Sequence, residues 1–295
     1  MRPALPLLLL VASCAAPPRQ GGIVSTNPCA DAILAQLAPD RLAAVSHYSH
    51  DAAATSMPLA LARRFPATAG TAEEVIARAP DLVVTDSFAP AATRAAYARA
   101  GLRVLTLGSV ATIAASEAQV MEIADAVGRP ERGRAMVAEI EAAVDASVPR
   151  RRPGSSLGAL RRSRSRASTG SALDPGLRRG TVKTNPSALL YIAGDLANGS
   201  GTLLDDLLAH AGFRNAAADY GLAYTGTLPI ETIAAHPPAV ILSPGDGRTA
   251  ELRRRVLARS HAATREAYFP RQLMNCGGSS IAPALARLAA VRRGL

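Results

Sequence analysis

The chain has 295 residues and a formal net charge of +10, with Arg supplying almost all of the positive charge and no tryptophan present. A chain of this length suits two domains. The charge invites a nucleic-acid partner, but Arg150 to Lys183 holds ten basic residues against one acid, Asp174, and leaves the rest near neutral; a folded nucleic-acid reader spreads its cations over a shaped face among aromatics, so that class is excluded.

In chain order, Arg2 precedes an apolar run from Ala4 to Ala12 and then small residues and a Pro pair, the layout of a secretory signal. The run is about half the 20 apolar residues that a membrane-spanning helix needs, and no later segment reaches that length. Val11-Ala12-Ser13-Cys14 reads as a bacterial lipobox, which makes residues 1–14 the signal and Cys14 the lipidated first residue of an exported protein. An ordinary cleavage near Ala15 or Ala16 fits the same stretch.

Short runs rich in Val and Leu then alternate with helical segments. Ile23–Ser25, Leu42–Ser46, Asp81–Thr85 and Arg103–Leu107 read as strands, separated by helices from about Ala30, at Ala72–Ala79 and at Ala91–Ala100. Strands alternating with helices predict an α/β fold with a parallel sheet built from βαβ units. Ser116–Val127 and Glu131–Val148 read as long helices, and Met136, Ile140 and Val144 give the second an apolar stripe. The tract at residues 149–184 is rich in Arg, Ser, Gly and Pro and is expected to be a disordered insertion. Alternation resumes with strands at Ala188–Ala193, Ala239–Ser243 and Leu273–Asn275 and helices at Thr202–Ala211, Thr249–Arg259 and Ile281–Arg292. The expected order is therefore an N-terminal lobe at 22–112, a linking helical region at 113–148, the insertion, and a C-terminal lobe at 185–295.

An internal echo ties the halves together. Glu73 to Thr85 aligns without a gap on Glu231 to Ser243; in both, a helix opens on Glu, Pro stands seven residues later, and an apolar strand ends in a hydroxyl residue. One copy in each half predicts two similar lobes.

Motifs for chemistry are sparse. No Gly-x-Ser-x-Gly elbow, phosphate loop or His-Glu-x-x-His occurs. Gly245 to Ala250 fits the loose form of a dinucleotide turn, but no acid follows about 20 residues on to hold a ribose, so a plain strand-to-helix turn is preferred. Ser46 to Asp51 is the densest polar cluster and directly follows a strand, where ligands of open α/β sheets bind. His47 and His50 there could ligate a metal, or simply hydrogen-bond locally. Cys29 and Cys276 fall one in each expected lobe, without a spacing signature; a disulfide and a free, buried Cys29 both remain open.

Four features together carry a resemblance: Ile23-Val24-Ser25 opening the domain, Val45-Ser46-His47-Tyr48-Ser49, the paired Glu-to-Pro-to-strand units, and Gly201 to Leu208 running into Gly212-Phe213-Arg214-Asn215. From Ile23 to the end, the basic tract apart, the chain resembles the periplasmic binding proteins for cobalamin and ferric siderophores. That resemblance implies two Rossmann-like lobes with mostly parallel sheets joined by a long rigid helix, a ligand cleft between them, and no catalytic residue or cofactor. It implies a metal-chelate ligand (corrinoid, ferric siderophore or haem) contacted from the first lobe by Thr26, Asn27, His47, Tyr48, His50, Ser87 and Phe88. Asp195, Asn198, Tyr224 and Gly245 are the implied contacts of the second lobe, with Cys276 and Gly277 nearby. Tyr48 stands where the cobalamin binders use a ligand-contacting tyrosine, but their cleft tryptophans are missing here; Tyr224 replaces one, and Thr85 with Asp86 another. Glu73 and Glu231 correspond to the acids that meet Arg residues of the ABC importer permease. The protein is thus expected to be a periplasmic monomer that touches the membrane only through its lipid anchor. Rival readings are a zinc or manganese carrier using His47 and His50, and a hydrolase or transferase on a doubly wound fold.

Overall fold

The computed structural model describes residues 21–148, 185–245, 247–259 and 263–295. Cys14 and the basic tract at 149–184 lie outside the described residues. The chain divides into two compact units: one runs to Ile140 and takes back Arg271–Ile281, while the other holds Glu141–Pro270 and Ala282–Leu295.

Unit 1 follows a strand–helix alternation: β1 Ile23–Ser25, α1 Pro28–Leu37, β2 Leu42–Ser46, α2 Leu59–Ala62, β3 Ala67–Thr68, α3 Ala72–Ala77, β4 Leu82–Asp86, α4 Ala91–Arg99, β5 Val104–Leu107 and α5 Ile113–Ala126. The strands form one sheet in the order β3-β2-β1-β4-β5, every pairing parallel. All three residues of β1 are buried, as are Leu82 to Thr85 of β4, because helices cover both faces of such a sheet and leave no polar side. Val24, Ala44, Val75, Val83 and Tyr97 form one of its cores. Helix starts follow side-chain caps: Asn27 caps α1 with Pro28 in the first turn, Thr71 caps α3 and Thr112 caps α5. The expected N-terminal lobe stopped at Thr112; α5 packs on α1 and groups with unit 1, as does the beginning of α6 Pro130–Ser147.

Unit 2 takes up the rest of α6 and continues with β6 Ser187–Ala193, β7 Leu196–Asn198, α7 Leu203–His210, β8 Arg214–Asn215, β9 Thr225–Thr227, α8 Ile230–Ala235, β10 Val240–Ser243, α9 Gly247–Arg259 and β11 Arg265–Tyr268. The last helix, α10 Ile281–Arg293, begins on the final residue of the segment returned to unit 1. The sheet runs β11-β10-β6-β7-β9, with β8 beside β6. Here the pairing is mixed: β11, β10, β6 and β8 are parallel, while β7 pairs antiparallel with β6 and with β9.

The repeated unit holds the same place in both sheets. β4 lies between β1 and β5, β10 lies between β6 and β11, and each follows a helix that carries its Glu as second residue. The strand expected at Leu273–Asn275 does not form; a short 3₁₀ turn occupies Arg271–Leu273. The last strand of unit 2 is instead Arg265–Tyr268, at the sheet edge. Two of its four residues are charged, which an edge position tolerates and an apolar-run reading overlooks.

Candidate ligand face

In unit 1 the chain winds from β1 outward to β3 on one side and through β4 to β5 on the other, so the switch point lies between β1 and β4. Open α/β sheets bind ligands above the carboxyl ends of strands at that point. Two polar pairs bridge it. The Thr26 hydroxyl donates to the Thr85 hydroxyl at 2.9 Å, and the Asn27 amide donates to the Asp86 carboxylate at 2.9 Å. Asn27 Oδ1 meanwhile accepts the backbone N–H groups of Cys29 and Ala30. Asp86 turns its other oxygen to the N–H groups of Phe88 and Ala89 at 2.8 and 3.0 Å. This turn leaves Phe88 81% exposed, while the neighbouring Ser87 N–H donates to the Leu107 carbonyl.

The turn after β2 is a single 3₁₀ turn, His47–His50, capped by the Ser46 hydroxyl. Tyr48 is 53% exposed, with its ring centroid 4.1 Å from that of His47. His47 Nδ1 lies 3.3 Å from the Thr68 carbonyl oxygen. A carbonyl only accepts, so Nδ1 carries the hydrogen; in the neutral ring this leaves the Nε2 lone pair for a ligand, the arrangement common to metal-binding histidines. His50 is used differently: its Nε2 lies 3.1 Å from the carbonyls of both Ala62 and Phe65 and serves to tie the turn to α2. Beneath the turn, Asp31 Oδ2 accepts the Ser46 N–H at 2.8 Å and the Ser49 hydroxyl at 2.7 Å. Sequence reasoning passed over Asp31 because an acid in a first helical turn reads as a dipole partner.

Cys29 and Cys276 are disulfide-bonded, with Cα atoms 5.1 Å apart. Their assignment to different lobes is corrected: the chain re-enters unit 1 at Arg271–Ile281, so both lie in the same unit. The returning segment also donates Gly278 N–H to the Ser116 hydroxyl at 2.7 Å. Gly278 has φ +60, and a Cβ there would meet Ile33 at 2.7 Å, so only glycine fits.

In unit 2, the carboxyl end of β6 turns into β7 through Gly194-Asp195, leaving Asp195 exposed. Asn198 does not reach a surface. It is 2% exposed, and its amide donates to Gly199 O at 3.1 Å and to the hydroxyl of Thr202, which caps α7, at 2.9 Å. Tyr224 is 70% exposed at φ +57 and is anchored by backbone bonds to Gly199 and Ser200. Gly245, at φ +71 after β10, offers its carbonyl to Arg254 at 2.8 Å. Arg254 and the buried Arg253 both pair with Glu266, at 3.0 and 3.1 Å, and Arg253 stacks 4.4 Å from the Tyr191 ring centroid. Burial raises the ionisation of Tyr191 well above the usual phenol range. This network joins α9, β11 and β6, and spacing along the chain carries no trace of it.

Glu73 and Glu231 are exposed, and among the described residues neither has a hydrogen-bond or ion-pair partner. In α3 the capping contacts go to Glu74 instead: its N–H reaches the Thr71 hydroxyl, and its carboxylate accepts the Ala69 N–H at 2.8 Å and pairs with Arg78. Beside Glu73 runs a groove of about 540 Å³ lined by Gly70, Thr71, Pro90, Thr93 and Arg99. Among the described residues, no group of three His, Cys, Asp or Glu side chains is placed to hold a metal ion, and no helix is long and apolar enough to cross a membrane.

Residues 23–151 match the family model of a periplasmic binding protein. No curated protein sequence matches the chain. Among solved structures, the periplasmic haem-binding protein HutB of Vibrio cholerae aligns at TM-score 0.66 and 16% identity, over 92% of this chain and 98% of that one. A periplasmic haem-binding protein from Pseudomonas aeruginosa aligns at 0.64 and 21% identity, over 92% and 91%. The periplasmic haem-binding protein RhuT from Roseiflexus sp. RS-1 aligns at 0.61 and 19%, over 92% and 97%. Residues 23–151 are therefore similar to a periplasmic binding protein domain, and the chain shares its fold with these periplasmic haem-binding proteins of known structure.

Proposed function

We propose that this chain is the substrate-binding protein of an ABC importer, exported to the periplasm, and that its cargo is a flat metal chelate, in the first instance haem. The observation that carries this reading is the pair of exposed aromatic side chains just past the carboxyl ends of β2 and β4 in unit 1, Tyr48 at 53% and Phe88 at 81%. They follow β2 and β4, the strands on either side of β1, whose carboxyl end carries the Thr26–Thr85 and Asn27–Asp86 pairs, and a planar macrocycle is held by aromatic contact with a few fixed polar groups. Haem is favoured over a corrinoid or a ferric siderophore because imidazole and phenol both ligate haem iron. The solved relatives named above are themselves described as haem-binding. His50 and Asn198 are left out of ligand contact, since their side chains are committed to backbone carbonyls and to the cap of α7.

Absorbance titration of the purified protein with hemin, cyanocobalamin and a ferric siderophore tests the assignment. A saturable Soret shift with hemin alone is expected. Saturable binding of cobalamin with no hemin response would replace haem by a corrinoid, and silence toward all three would remove the chelate reading.

A further inference from the structure

Asp31 lies on α1 one turn beyond the Asn27 cap and has no exposed surface. Its Oδ2 accepts two hydrogen bonds, while Oδ1 is buried without a partner. Among the described residues it is the one acidic side chain in the buried core, and no salt bridge compensates it. An unpaired buried carboxyl costs stability, so a neutral residue at this position would make a more stable unit. What Asp31 holds distinguishes it: Ser46 and Ser49 are the two residues that flank His47 and Tyr48.

We propose that Asp31 is a positioning residue for the ligand face, pinning both ends of the His47–Tyr48 turn from below and holding it more firmly as a carboxylate than as an acid. The inference deepens the haem-binding reading and rests on it for its effect on cargo. Ionised, the carboxylate makes charge-assisted bonds to Ser46 and Ser49, about twice as strong as neutral ones. Burial pushes the Asp31 carboxyl up to about 7, against smaller opposing effects of the nearby Ser25 hydroxyl and of the bonds from Ser49 and Ser46. The elements packed against α1 are β1, β2, α5 and the 3₁₀ turns at His47–His50 and Gly278–Ser280. Their titratable groups are His47, Tyr48, His50, Glu117, Glu122 and Asp125, and none of them contributes to the Asp31 shift.

The test compares wild type with Asp31→Asn, which keeps shape and acceptor but cannot ionise. Hemin affinity of the wild type should fall about three- to tenfold as the pH drops through about 7. Asp31→Asn should stay at the lower affinity throughout, and the ratio of the two proteins cancels the pH chemistry of hemin itself. A second readout needs no cargo. Because the chain has no tryptophan, a Tyr48→Trp reporter should show an emission step near the same pH, and adding Asp31→Asn should abolish it. A step that persists with Asp31→Asn belongs to His47 and overturns the proposal, as does wild-type affinity with an unchanged pH profile in Asp31→Asn. If hemin fails to bind the wild type while the emission step depends on Asp31, the cargo reading falls and the positioning role stands.

Discussion

Tyr48 stands on a turn held by Asp31 and by the His50 contacts, so truncating it should alter binding without altering the fold. Tyr48→Ala is expected to weaken hemin binding by about 1–3 kcal/mol, the scale of a lost aromatic contact. His50→Gln should instead lower the thermal midpoint, because its ring bridges the turn to α2. Unchanged hemin affinity in Tyr48→Ala would place the cargo away from this face. Asp31 carries a further expectation in the absence of cargo. Its carboxyl is raised from 3.8 to about 7, so the folded chain holds that proton more tightly than the unfolded chain. The contribution to stability is then full below about pH 4 and is lost as pH rises through about 7. At about 1.4 kcal/mol per unit, the loss across that window is a few kcal/mol. Denaturant unfolding at about pH 5 and about pH 8 should show the wild type losing stability while Asp31→Asn loses little; parallel profiles would show that the carboxyl does not titrate in that range.

Two features act at the scale of elements. The first is the segment Arg271–Ile281, joined to the start of α1 by the Cys29–Cys276 disulfide, which closes a loop of 247 residues. Cross-links over long loops stabilise mainly by restricting the unfolded chain, so Cys29→Ser with Cys276→Ser should cost about 2–5 kcal/mol. Equal unfolding midpoints for the double variant and the oxidised wild type would sink that expectation. The second is the repeated helix–Pro–strand unit. Glu74 takes the capping contacts of α3, and among the described residues neither Glu73 nor Glu231 on α8 has a hydrogen-bond or ion-pair partner. Surface acids of this kind set encounter rate and orientation with a charged partner. Glu73→Ala with Glu231→Ala is expected to leave hemin affinity unchanged and to reduce uptake through the cognate permease. Normal uptake at native expression would remove the docking role.

For the whole molecule, the lipobox expected at Val11 to Cys14 would hold the binding domain at a membrane surface. Lipid chains contribute about 0.8 kcal/mol per buried CH₂, enough with more than one chain for stable anchoring. Cys14→Ala should therefore release the protein from detergent phase to aqueous phase with a matching loss of mass. Unchanged partitioning would point to ordinary signal cleavage. Deleting Gly154 to Gly180, which carries much of the net charge and few core-forming residues, is expected to leave hemin affinity and the thermal midpoint in place.

Local sequence determined the α/β class, four of the five strands of unit 1, the helices at Ala72 and Thr202, and the presence of one copy of the helix–Pro–strand unit in each half. These features were legible because apolar runs, caps and Pro positions act over a few residues, and unit 1 is wholly parallel with buried central strands. Tyr48 and Phe88 were legible for a related reason, since each follows a recognisable strand. Tertiary structure alone decided the rest. Whether Cys29 meets Cys276 depends on a chain return 247 residues away, and β11 forms because β10 offers an edge, not because Arg265-Glu266-Ala267-Tyr268 favours extension. The same holds for Asp31, Asn198 and His50: each residue type suits a surface or a site, and only the carbonyls, hydroxyls and N–H groups brought against it by distant segments show that its polar atoms face inward. Hydrogen bonding reads the neighbours in space, and those neighbours are chosen by packing of the whole unit rather than by the residues on either side.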